Sequence, residues 1–113
     1  MKMDVDAFIK VMTSWREAFL QSSSLPIVGA TEAQLNAIHS PACLIVGNDI
    51  VHTPVTAHKA AGLLPNSELH EDVVKKFPED KLRHHWDPKE WRDAEPQIAE
   101  IFTTFLKKAE SGR

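Results

Sequence analysis

Residues 42–47, ACLIVG, constrain this chain more than any other segment. The run is apolar without polar alternation and ends in a turn residue. Such a run reads as a strand covered on both faces, which is how strands of parallel sheets are placed. The run leads into Gly47, Asn48 and Asp49, with His52 three residues further on. A strand read as buried therefore ends by presenting a single carboxylate in a tight turn.

The flanking segments supply the helices that a parallel sheet needs. Val5, Phe8, Ile9, Met12, Trp15 and Phe19 recur at helical spacing, with Asp4 or Asp6 as the cap. SSSLPIVGA, with its serines, Pro26 and Gly29, reads as a loop. Thr31 followed by Gln34 forms a capping-box pattern for a short helix reaching about Ile38. Thr53 and Pro54 fit the cap and first position of a helix running to about Leu64, which Pro65 and Asn66 stop.

SELHE, residues 67–71, is assigned as a second strand mainly by its context. Residues 72–94 are irregular and polar, with Trp86 and Trp91 as anchors and Asp87–Pro88 opening a single helical turn. A last helix is expected from about Pro96, with Ile98, Ile101, Phe102, Phe105, Leu106 and Ala109 as its stripe. Lys107 and Lys108 lie near its end, where the helix dipole favours cations. Strands alternating with helices predict an open α/β architecture with a short parallel sheet. Two strands are few for such a sheet, and it cannot cover itself.

The chain has 113 residues, enough for one domain with a small core. Its net charge of −3 gives no footprint for nucleic acid. The one cysteine, Cys43, cannot form an internal disulfide and is expected as a small buried hydrophobe. A single thiol fits a reducing, cytoplasmic setting. No stretch is apolar enough to span a membrane, MKMDVDAFIK lacks the apolar region of a signal peptide, and KKAESGR reads as a fraying tail.

LNAIHSPACLIVGND, VHTPVTAHKAAGLLPNSEL and AEPQIAEIFTTFL, in that order, resemble the C-terminal part of an α/β-hydrolase. SLPIVGATEAQL resembles the segment that joins the cap helices back to the main domain of that family. The match covers roughly residues 24–108. Residues 1–23 would be a cap-like or N-terminal helix with its linker, and 109–113 a tail, all within one domain.

The resemblance implies that Asp49 is the acid of a Ser–Asp–His triad, accepting a hydrogen bond from the histidine and stabilising the imidazolium formed during acyl transfer. The other reading of Asp49 is a turn-closing or helix-capping acid. The triad histidine would be His85, with His84 as the alternative. The other reading of both is as loop histidines flanking an anchoring Trp86, because the family's glycine before the histidine is absent and the approach to Pro96 is long. His52 is read as a helix-start residue and His70 as a surface or packing residue, while His39 and His58 receive no role.

The nucleophile is missing. No G-x-S-x-G occurs, and the serines at 22–24 lack flanking glycines and a preceding strand. Without the nucleophile and the oxyanion-hole segment, acyl transfer has neither its covalent route nor its main electrostatic stabilisation. No cofactor motif is present. HHWD, residues 84–87, lacks the companions of a designed metal site, so no metal is expected.

Two readings follow. In one, the chain is the last part of a hydrolase acting on a small-molecule ester or similar bond, inactive by itself. In the other, it is a non-catalytic domain derived from that fold that oligomerises or binds a partner. An open apolar strand edge and helix stripes with too little sheet to cover predict a homo-oligomer, most simply a two-fold dimer.

Overall fold

A computed structural model describes residues 4–27, 29–78 and 87–112. The expected His84, His85 and Trp86 lie outside these residues. Six elements follow in order: α1 (Val5–Gln21), α2 (Glu32–Asn36), β1 (Ala42–Ile45), α3 (Pro54–Leu63), β2 (Ser67–His70) and α4 (Pro88–Ser111). The class is α/β.

Each helix start has a local cause. Asp4 caps α1, its Oδ1 accepting from the backbone N–H groups of Asp6 and Ala7 at 2.9 and 3.2 Å. Thr31 and Gln34 close a reciprocal capping box on α2, which buries Leu35. Thr53 caps α3, with Pro54 at the first helical position.

β1 and β2 pair in parallel, Ala42 to Ser67, Cys43 to Glu68, Leu44 to Leu69 and Ile45 to His70. The Asn66 side chain donates to the His39 carbonyl at 2.6 Å, and the Ala42 N–H donates to the Asn66 carbonyl at 2.9 Å. The Pro65–Asn66 turn thus sets the register at its first rung. Because strand side chains alternate in direction, Ala42, Leu44, Ser67 and Leu69 share one face of the sheet. Ser67 Oγ donates to the Ala61 and Leu64 carbonyls of the α3 end, which identifies that face as the α3 side. Cys43, Ile45, Glu68 and His70 share the other face. Ile45 packs there against the cluster of Val73, Val74 and Ala94, joined by Trp91, Ile98 and Ile101 of α4.

Two expectations need correction. The final helix begins at Pro88, not near Pro96, and Asp87 caps the whole helix instead of one turn. Pro96 lies inside it. Trp91, Ala94, Ile98, Ile101, Phe105 and Ala109 are buried or partly buried at spacings of three and four residues. The stripe runs through the proline, so packing on both sides offsets the backbone bond that Pro96 cannot make. Phe102 and Leu106, expected in that stripe, are exposed.

The apolar stripe of α1 is expected to have too little sheet to cover it. The helix forms but buries none of its residues. Trp15 is 62% exposed and Phe19 53%, and their rings meet at a centroid distance of 6.3 Å. The second correction concerns β1, whose four residues are each only partly buried, Cys43 included. The radius of gyration, 16.9 Å, exceeds the roughly 13 Å of a compact chain of this length.

Replacing the exposed Pro96 by alanine should restore a helical hydrogen bond and stabilise the protein by about 1–3 kcal/mol, read as a higher urea midpoint. A lower midpoint would mean that α4 does not continue through residue 96.

Candidate functional site

The site grows from the end of β1. After Ile45 the chain keeps one more sheet bond, from the Val46 N–H to the His70 carbonyl at 3.0 Å, and then folds back on itself. The fold-back brings the backbone of residue 52 over residue 47. A Cβ at Gly47 would overlap the His52 carbonyl oxygen and come within 2.5 Å of the His52 Cβ. Glycine is therefore required at position 47 by close approach.

Asn48 and Asp49 are both buried. The Asn48 amide donates to the Lys75 carbonyl at 2.8 Å and to Glu90 Oε2 at 3.1 Å. It ties the turn to the segment after β2 and to the first turn of α4.

Asp49 is 1% exposed and is the most deeply buried side chain among the described residues. Its Oδ1 accepts the backbone N–H groups of Val51 at 2.8 Å and His52 at 2.7 Å. The His52 ring closes on the same carboxylate, with Nδ1 2.9 Å from Oδ2 and 3.1 Å from Oδ1. Burial by itself pushes the Asp49 carboxyl up. The hydrogen bonds from the His52 ring and from the two backbone N–H groups outweigh burial, and the carboxyl lies below its ordinary value.

The His52 ring is about half-exposed, with 53% of its side chain open. Its Nδ1 is directed at the carboxylate, and its Nε2 makes no hydrogen bond among the described residues. The ring meets Trp91 edge to face, centroids 6.3 Å apart at 62°. The Trp91 indole N–H is buried and has no hydrogen-bond partner among the described residues.

This arrangement is a carboxylate–imidazole dyad. The acid fixes the ring's orientation and favours a proton on Nδ1, which leaves Nε2 as the acceptor of a neutral ring. It can take up and return a proton at Nε2. Among the described residues, no serine or cysteine is hydrogen-bonded to that ring.

Asp49 stands where the sequence places it, at the carboxyl end of a parallel strand. The ring on it belongs to His52, which sequence reasoning reads only as a helix-start residue. His52 does precede the α3 cap, Thr53, and the missed signal is the D-x-x-H spacing. A side chain accepting from the N–H groups two and three residues ahead is an Asx-type turn, and it brings the side chain at the third position back toward the acid. Asn48 was also missed. His70 faces Glu68, its Nε2 3.2 Å from Oε1, and His58 Nε2 lies 3.4 Å from Glu71 Oε1.

Because the folded-state carboxyl is depressed, its contribution to stability is present above the unfolded value of about 3.9. It disappears as pH falls through the lower, folded-state value. Asp49→Asn should therefore cost roughly 1–3 kcal/mol at neutral pH, and the gap to wild type should narrow in acid below the usual carboxylate range. Urea unfolding of both proteins across that interval checks this; a gap that does not change with pH would contradict it. Comparisons of the chain with family models, with curated proteins and with solved structures return no match, so the site is defined by this geometry.

Proposed function

We propose that these residues are the acid-bearing C-terminal part of an α/β-hydrolase-type serine hydrolase, acting in complete form on an ester or similar bond of a small molecule. The observation that carries the reading is Asp49: a buried carboxylate, held below its ordinary value, in a glycine-dependent turn at the end of a parallel strand. Open α/β sheets place their chemistry at the carboxyl ends of strands. The triad histidine is His85, with His84 as the alternative, and His52 holds the carboxylate in this chain. The nucleophile and oxyanion donors would come from residues beyond these 113, since no G-x-S-x-G occurs among them.

The intact mass of the protein isolated from its source tests this, together with labelling by a fluorophosphonate. The reading expects a mass above 12.7 kDa and a labelled serine outside this sequence. A mass of 12.7 kDa with no labelled serine overturns it. In the longer enzyme, Asp49→Asn should lower turnover on the order of 10⁴-fold, and His52→Ala should leave it within about tenfold, a loss of no more than ~1.4 kcal/mol in the barrier. An equal loss in both variants would make His52, not His85 or His84, the base.

The exposed stripe of α1 favours a second reading, a non-catalytic domain that assembles with copies of itself. Among the described residues, β1 has a strand neighbour on one side only, β2. A two-fold axis would let copies join these edges or exchange helices. Light scattering on a size-exclusion column should give a dimer for the 113-residue chain; a monomer at micromolar concentration would rule this reading out.

A further inference from the structure

The sheet face beneath α4 brings together three side chains of different metal-binding type. The two-residue period of a strand puts Glu68 and His70 on one face of β2. The parallel register sets Cys43 of β1 opposite Glu68, on that same face. One ligand atom from each, the thiol sulfur, a carboxylate oxygen and an imidazole nitrogen, lies within 4.8 Å of the others. None of the three is fully exposed.

Tetrahedral zinc binds sulfur, nitrogen and oxygen at about 2.0–2.3 Å, which sets the donor atoms roughly 3.3–3.6 Å apart. His70 Nε2 and Glu68 Oε1 are already 3.2 Å apart. With one ligand atom from each residue within 4.8 Å of the others, reaching that spacing takes a closure of at most roughly 1.2–1.5 Å, chiefly at the Cys43 sulfur. The two strands hold the Cα positions, so side-chain rotation suffices.

We propose that Cys43, Glu68 and His70 form a site for a zinc-class divalent cation, with thiolate, carboxylate and imidazole as ligands. A thiolate beside an imidazole selects zinc or cobalt over magnesium and calcium. Three protein ligands leave the fourth tetrahedral position for water.

Two neighbouring features bear on affinity. Lys108 Nζ, from α4, is 3.1 Å from Glu68 Oε2 and competes with a metal for that carboxylate. Burial, and then the charge and hydrogen bond of Glu68, push the Cys43 thiol up. The metal-free site therefore holds a thiol, and binding releases its proton.

Cobalt(II) is the probe, titrated into the full chain with the thiol kept reduced. Cys43 is the only cysteine, so a cobalt–thiolate absorption band can arise from no other residue. The expected result is that band, with the visible bands of tetrahedral cobalt, at one ion per chain and displaced by zinc. Cys43→Ser should abolish the band. Glu68→Gln and His70→Gln should each weaken binding roughly tenfold or more, at least the loss seen when the support of a metal ligand is removed. Lys108→Met should tighten it, and because the Lys108 side chain is 74% exposed this variant is expected to fold. Circular dichroism on each variant reports its folding.

Absence of the band in the wild-type chain overturns the proposal, including the case in which cobalt binds only through nitrogen and oxygen ligands such as His84 and His85. A band at one ion per two chains, or one whose affinity is unmoved in folded Glu68→Gln and His70→Gln, also overturns it, because each would report the thiol acting without its two neighbours.

Discussion

The carboxylate of Asp49 and the two backbone N–H groups it accepts hold the centre of this structure. A buried charge costs several kcal/mol unless it is paired and hydrogen-bonded. Asp49 meets that condition with donors only two and three residues ahead, Val51 and His52, and with the His52 ring. Satisfying the charge locally folds the chain back over Gly47 and positions His52, whose ring meets Trp91. It also aims the chain into the capped start of α3. Asn48 ties the same turn to Lys75 and Glu90, so β1, the segment after β2 and α4 converge at one point.

Away from this point the structure thins. Among the described residues the sheet has two strands, and the buried apolar residues are Leu35, Val46, Ala60, Val73, Val74 and Ala94. Local chemistry caps each of the described helices, yet α1 buries none of its residues. The contrast between a firmly held acid and a sparse core is the physical observation from which both proposed readings start. Among the described residues, no helix is long and apolar enough to cross a membrane.

Much of the architecture was legible because it rests on local signals. Caps at Asp4, Thr31 and Thr53, proline at 54 and the apolar run of β1 each act within a few residues. Pro96 misled because a helix stop is a local cost, and the stripe from Trp91 to Ala109 overrides it through tertiary packing. The α1 stripe was legible as a helix, and its lack of cover followed from the small number of strands, although periodicity alone says which face is apolar and nothing about what meets it. At the site, Asp49 was visible from the strand it ends. The His52 contact is a turn effect that reading the histidine as a helix start conceals. Asn48 and the Cys43–Glu68–His70 group depend on sequence separations of 25 residues or more, which only the strand register and loop packing reveal.

The ionisation of Asp49 inside its turn is the claim on which the site depends. A titration of the Asp49 side-chain carboxyl carbon by nuclear magnetic resonance measures it directly. The account predicts a midpoint below that of a free aspartate, near 3.9, because the His52 ring and two backbone donors stabilise the charged form. A midpoint at or above that value would show that burial dominates, and that the turn does not hold a carboxylate.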